Sequence, residues 1–334
     1  MLFLALGIGG LLLALFPADA WAWGPSTHVW LANGVLSNLG LLPLPLRDLL
    51  SAYPYEFVYG NLSADITLAK RYVHYSRHCH RWEMGFLVLD RARSDRLRSF
   101  ALGYLCHLAA DTLAHNHYVP RRLLVTSSTR NFGHAYWEHR FDAHLGPEPL
   151  RIAREVVQRD HAEPDWLLEE VLTQAIFSFR TNKRMFQRML HLSNDERWQS
   201  LFERMVARSR WDLPDEEVQR YLRATDQLVL DFLKSGARSR ACGMDPIGTE
   251  NLELAKKIRR RTIRDSRRES GRLLDLSSYP EEVAAMAEIF FELPRDQGPD
   301  VELGAAGEDV AGEGSTPGDD DFWERFRWEL TLSA

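Results

Sequence analysis

Two histidine/carboxylate pairs, each spaced four apart, lie close together in the chain: His107 with Asp111, and His134 with Glu138. On an α-helix, positions i and i+4 sit almost one above the other, so each pair presents an imidazole and a carboxylate on one face, able to share one cation or bridge two. Imidazole is the commonest side-chain ligand of zinc-like ions, and carboxylate oxygens complete such sites. Histidine placement points the same way: ten of the twelve fall between positions 28 and 144, and nine of those between 74 and 144. A satisfied core or surface histidine explains any one of them but not their clustering. The pattern points to a multinuclear metal site.

The elements that must carry these pairs read as helices. Across residues 96 to 116, Leu97, Phe100, Ala101, Tyr104, Leu105 and Leu108 recur at three and four spacing, and Pro120 closes the stretch beyond it. Further helices are expected over 164 to 191 and 214 to 235, with a last one near 280 to 292. Period-two alternation occurs only at Tyr53, Tyr55, Phe57 and Tyr59, a stripe that fits an extended loop. The expected architecture is all-α.

Composition narrows the setting. Leu2 to Phe16 is apolar apart from glycines and is followed by Pro17-Ala18-Asp19-Ala20-Trp21-Ala22, an apolar core and then small residues, as in a cleaved leader over residues 1–22. No Lys or Arg precedes the core, so an uncleaved membrane anchor is the alternative to export to the periplasm or medium. A helical domain is expected over residues 23–295. The net charge of −6 gives no reason to expect a nucleic-acid partner. Cys79, Cys106 and Cys242 permit at most one disulfide, and buried free thiols fit better.

Residues 256 to 272 hold nine Lys or Arg against two acidic residues, with Ile258 and Ile263 in a thin apolar stripe. That is either a solvated helix face or a strip for peripheral contact with anionic head groups. From 296 to 321 there are nine acidic residues and no Lys or Arg, the composition of a disordered linker. An aromatic C-terminal segment, 322–334, follows it.

Cleavage after Ala22 would make Trp23 the N-terminus. Its α-amine, with an ordinary pKa of about 8, binds metal once deprotonated, and the adjacent carbonyl can chelate the same ion. His28 follows five residues later.

These residues resemble the zinc-dependent phospholipase C superfamily, including the phospholipase C/D-type domain of glycosylphosphatidylinositol-specific phospholipase D and the related S1/P1 nucleases. In motif terms the resemblance covers about residues 23 to 145. It implies a multi-helix, phospholipase C/P1 nuclease-like bundle around a cluster of three zinc ions. Trp23 resembles the family's terminal Trp, and His28 the His that shares its ion. Asp65 resembles the first Asp ligand, and His80 the His after it, with His78 the other candidate. His107 and Asp111 resemble the central His-x-x-x-Asp whose Asp bridges two ions. His134 and Glu138 resemble the closing His-x-x-x-Glu, the Glu being more like the phospholipases than the nucleases. After Asp111, the six-residue spacing of toxins and nucleases selects His117, whereas the Ala-His-Asn setting and a continued helix select His115, the choice adopted for the ligand set.

The implied activity is hydrolysis of a phosphodiester by metal-activated water. Asp111 would bridge two ions, and the resemblance adds Asp65 as general base. A phospholipid needs an apolar rim, for which the stripe from Tyr53 to Tyr59, Trp82 and Phe86 are candidates. A nucleic acid needs stacking slots beside a basic groove, and the basic run lies far along the chain. Phospholipase C-type cleavage is therefore expected first, a single-strand nuclease second, and an exported metal-binding protein without turnover third.

Overall fold

Ser94 opens the central helix: its hydroxyl accepts a 3.2 Å hydrogen bond from the Leu97 N–H, satisfying one of the orphan donors of the first turn. The helix runs Asp95–Leu113, and from Ser99 to Leu113 every residue is buried, so it is enclosed on all sides. The computed structural model describes residues 23–67, 78–125, 131–172, 177–193, 211–270 and 281–293, with positions 200, 204, 206 and 209. Helices and no strands occur among them.

In chain order the helices are α1 (Pro25–Ser37), α2 (Leu44–Ala52), α3 (Pro54–Ser63), α4 (Trp82–Arg91), α5 (Asp95–Leu113), α6 (Val119–Val125), α7 (Asn131–Ala143), α8 (Glu148–Gln158), α9 (Ala162–Val171), α10 (Phe179–Ser193), α11 (Asp215–Ser235), α12 (Thr249–Ser270) and α13 (Glu281–Phe291). Helices α3, α4 and α11 pack on α5, α1 packs on α3 and α8, and α12 and α13 cover α6. The expected all-α architecture is what the chain adopts.

The tightest of these contacts is between α3 and α5. A Cβ on Gly60 would lie 2.0 Å from the Phe100 carbonyl oxygen, and one on Gly103 would lie 2.1 Å from that of Phe57. Only glycine permits this backbone approach. Gly103, His107 and Asp111 follow at intervals of four, so the glycine that admits α3 heads the same stripe of α5 that carries the ligand pair.

Three local expectations are corrected. Pro120 does not close the central helix: a single wide π turn, Ala114–Tyr118, leads directly into α6, and Pro120 is its second residue. The helix expected over 164 to 191 is broken, because α9 ends at Val171 and Leu172 is extended (φ −87°, ψ 129°) before α10 begins. The aromatic stripe at 53 to 59 is helical rather than extended. There Phe57 and Tyr59 are fully buried while Tyr55 stays exposed beneath the Arg159 guanidinium, so the stripe is no membrane-facing rim. Trp82 and Phe86 are likewise buried, against Phe232.

The helices expected near 214 to 235 and 280 to 292 are α11 and α13. Among the described residues no helix is long and apolar enough to cross a membrane. Residues 1–22, where a leader is expected, the acidic stretch 296–321 and the segment 322–334 lie outside the described residues.

Candidate metal centre

His107 shows how the fold aims a ligand. Its Nδ1–H donates to the Asn61 carbonyl at 2.8 Å, across the glycine contact between α3 and α5, which leaves the Nε2 lone pair facing inward. The other ligands converge on that nitrogen. His107 Nε2 lies 3.2 Å from Asp111 Oδ2, 3.1 Å from His80 Nε2 and 3.9 Å from Asp65 Oδ1. His80 Nε2 lies 3.3 Å from Asp65 Oδ1 and 3.2 Å from Asp111 Oδ2. His28, from α1, stacks on the His107 ring at 3.8 Å and places Nε2 3.3 Å from Asp111 Oδ1. Two overlapping groups result, His28/His107/Asp111 and Asp65/His80/His107, all of whose members are buried, and a third, His78/Cys79/His80, adjoins them with His78 only half-buried.

Each member is placed by a different element. Asp65 sits in the turn just after α3, where its N–H bonds the Leu62 carbonyl at 3.3 Å. His80 lies in the loop before α4. There Tyr104 on α5 donates its hydroxyl to the Cys79 carbonyl at 2.6 Å, and the Cys79 sulfur lies 3.3 Å from His80 Nδ1. These contacts turn His80 Nε2 toward the carboxylates. His78, the alternative to His80, is only half-buried, and its Nδ1 accepts the His80 backbone N–H.

The charge balance of this cluster fits a cation. Neither Asp111 oxygen receives a hydrogen bond of acceptable geometry among the described residues, although three imidazole nitrogens stand 3.2–3.3 Å away. Both ring nitrogens of His28 are in the same condition. Buried polar atoms without partners are rare and costly, and here they all face one another. Burial and the neighbouring His107 hold the His28 pKa below its ordinary value, so the ring is neutral at pH 7 and keeps a lone pair. Burial would push the Asp111 carboxyl up, but His107, His28 and His80 outweigh it and hold the group well below the usual carboxylate range. A carboxylate among imidazoles is the donor set of zinc.

Trp23 and Asp142 anchor the N-terminal end of this arrangement. The Trp23 indole N–H donates to the Ala110 carbonyl at 3.0 Å, one residue before Asp111, and the ring packs on Phe141 and Tyr118 at 4.4 and 5.1 Å. Asp142, on α7, accepts from Ser26 N, Thr27 N and Thr27 Oγ1 at 2.9, 3.1 and 2.6 Å, capping α1 from across the fold. Gly24 lies so close that a Cβ there would meet the Asp142 carboxylate at 2.2 Å.

The remaining sequence-derived ligands sit farther out. His115, on the π turn, is buried and donates Nδ1–H to the Pro246 carbonyl at 2.6 Å. Burial lowers its pKa, while the Asp111 charge opposes that shift. His117 points elsewhere, half-buried, with Nδ1 on the Glu292 carbonyl at 2.8 Å. Glu138 is buried on α7, and His134 lies one turn before it, with its side chain outside the described residues. Among the described residues, His115 and Glu138 fall outside the two convergent groups. Of the other histidines, His144 pairs with Asp215 at 2.6 Å and His74 lies outside the described residues. No disulfide joins Cys79, Cys106 or Cys242.

The sequence carried no sign of Asn61, Asp142, Tyr104 or Pro246, since their roles are backbone contacts and a distant cap. Gly60 and Gly103 carried a weak one, two isolated glycines inside helical patterns.

A family model described as zinc dependent phospholipase C matches residues 27–183, a span that includes every member of the two convergent groups. No curated protein and no solved structure matches the chain.

Proposed function

Since residues 27–183 belong to the zinc-dependent phospholipase C family, we propose that this protein hydrolyses phospholipid in phospholipase C fashion, at a zinc centre built on Asp111. The observation that carries this reading is the buried Asp111 carboxylate, which lacks hydrogen-bond donors among the described residues while three imidazole nitrogens face it. His28, His80, His107, Asp65 and Asp111 would hold zinc directly, with Asp111 shared between the two groups. His115, His134, Glu138 and the Trp23 terminus complete a three-ion set. Zinc in such a site supplies Lewis acidity, acidifying water and offsetting the charge of a phosphoryl group.

The chain's own residues do the rest. Asp65 takes the proton of the attacking water on a carboxylate oxygen, as a general base held beside His80. His107 is held in one tautomer by the Asn61 carbonyl on its Nδ1–H, which leaves the Nε2 lone pair to face the site. The buried walls around Asp111 exclude bulk water and strengthen each charge interaction inside.

The Trp23 amine becomes a ligand only after cleavage behind Ala22, so export is part of the proposal, with an intact leader acting as an anchor the alternative outcome. Asp142 and the aromatic contacts of Trp23 support it, because they hold this segment against the helix that bears Asp111. The exposed face of α12, with Arg260, Arg261, Arg264 and Arg268, is where we place peripheral contact with an anionic membrane.

Purified mature protein is expected to contain two to three zinc ions per chain on elemental analysis and to begin Trp-Gly-Pro-Ser-Thr-His. Release of phosphocholine from phosphatidylcholine without cleavage of single-stranded DNA supports the proposal. Cleavage of DNA alone replaces it with a nuclease, zinc without either activity leaves a metal-binding protein, and absence of zinc removes the reading altogether.

A further inference from the structure

The segment Met244–Gly248 lies beyond the family match, yet it packs directly on the turn that carries His115. Its backbone is tied there at several points. Trp82 donates its indole N–H to the Met244 carbonyl at 2.9 Å. Asn116 donates to the Asp245 carbonyl at 2.8 Å and to the Thr112 carbonyl at 2.7 Å, and Asn251 in turn donates to Asn116 Oδ1 at 3.0 Å. The Asp245 carboxylate folds the segment on itself, accepting from Ile247 N at 3.0 Å and Thr249 N at 3.1 Å.

The result is that the Pro246 carbonyl accepts the His115 Nδ1–H at 2.6 Å. Gly248, at φ +63°, lies so close that a Cβ would sit 2.5 Å from both the Cβ and the carbonyl oxygen of His115. A carbonyl on Nδ1–H settles the tautomer of an imidazole, and the glycine settles how near the backbone comes.

We infer that Met244–Gly248 is a positioning element for His115, orienting its Nε2 lone pair for metal from a part of the chain outside the matched family region. This rests on the reading of His115 as a zinc ligand. The π turn is consistent with it, since the wide turn sends His117 outward to Glu292 while His115 meets the segment.

Gly248→Ala tests the inference against Gly146→Ala. Both glycines have positive φ (+63° and +71°), but a Cβ on Gly146 meets nothing within 4 Å, so the pair shares backbone strain and differs in contact with His115. The readouts are the visible spectrum of the cobalt-substituted mature protein and zinc affinity by chelator competition. Gly248→Ala is expected to change the cobalt bands and weaken zinc by about 10- to 100-fold, while Gly146→Ala leaves both as in the wild type. If Gly248→Ala does not fold, Trp82→Phe, which removes the indole bond to the Met244 carbonyl and so loosens the segment at a residue outside the π turn, is expected to alter the bands in the same way. Wild-type spectra and affinity in whichever variant folds overturn the inference. Failure of the wild type to take up zinc or cobalt would instead overturn the underlying reading of the site.

Discussion

Gly103→Ala isolates the contact that sets the geometry of the metal centre. The added Cβ would lie 2.1 Å from the Phe57 carbonyl oxygen, 2.9 Å from its carbon and 3.1 Å from Asn61 N, all backbone atoms of α3. Ordinary contact for such a carbon begins at 3.4 Å, so α3 must retreat by about 1 Å, since no side-chain rotation relieves a clash with backbone. In an exposed helix this substitution stabilises by about 1 kcal/mol, but overpacking a tight interface costs about 1–3 kcal/mol. The second term is expected to win, giving a net loss of up to about 2 kcal/mol in the metal-free protein.

The consequence for chemistry is larger. Asn61 moves with α3, so its 2.8 Å bond from His107 Nδ1–H lengthens to roughly 3.8 Å, beyond hydrogen-bonding range. With that orientation lost, zinc affinity is expected to fall about 10- to 100-fold. Urea unfolding of the metal-free protein gives the first quantity and chelator competition the second. Gly40→Ala, where a Cβ meets nothing within 4 Å, is the control and should leave zinc binding unchanged. A Gly103→Ala protein that is as stable as the wild type and binds zinc equally well would refute the claim that the glycine contact sets the site.

Other substitutions probe separate parts of the structure. His115→Ala is expected to lower the zinc content and His117→Ala to leave it unchanged, because only His115 is turned into the fold; equal losses on elemental analysis would contradict that assignment. Asp142→Ala removes the carboxylate that accepts from Ser26 N, Thr27 N and Thr27 Oγ1, leaving Thr27 N only the Gly24 carbonyl, and should cost about 1–3 kcal/mol in urea unfolding. The same change should expose Trp23, seen as a red shift of its fluorescence, and a shift-free spectrum would argue against Asp142 as its anchor. Asp226 is buried with Oδ1 unpartnered among the described residues, and burial raises its pKa to about 7. A carboxyl raised in the folded state keeps its proton there while the unfolded chain loses it, so stability is present below about pH 4 and is lost as pH rises to 7. Asp226→Asn should therefore flatten this slope and be more stable at pH 8 by up to about 4 kcal/mol; parallel pH profiles of the two proteins would show that Asp226 is not the source.

Much of the centre was readable from residue order because helical periodicity is local. The spacing of His107 and Asp111 puts them on one face of any helix, whatever surrounds it. His28, Asp65 and His80 were reached through resemblance, and the fold brings all three to that pair. Local patterns misled where packing overrode them. The alternating aromatics at 53 to 59 look extended, yet they begin a helix behind Pro54, and Pro120 reads as a stop although it continues a turn already widened.

What residue order determined, then, was the identity of the donors and the face each helix presents, since both follow from side-chain chemistry and the helical repeat. Only the tertiary structure decided which nitrogen each imidazole offers and how closely the helices bring those nitrogens together. His107 is oriented by the carbonyl of Asn61 and His115 by that of Pro246, and a carbonyl is the same group on every residue. No side chain marks such a partner in advance, so the chain must fold, with Gly60 and Gly103 admitting one backbone to another, before the pairing exists.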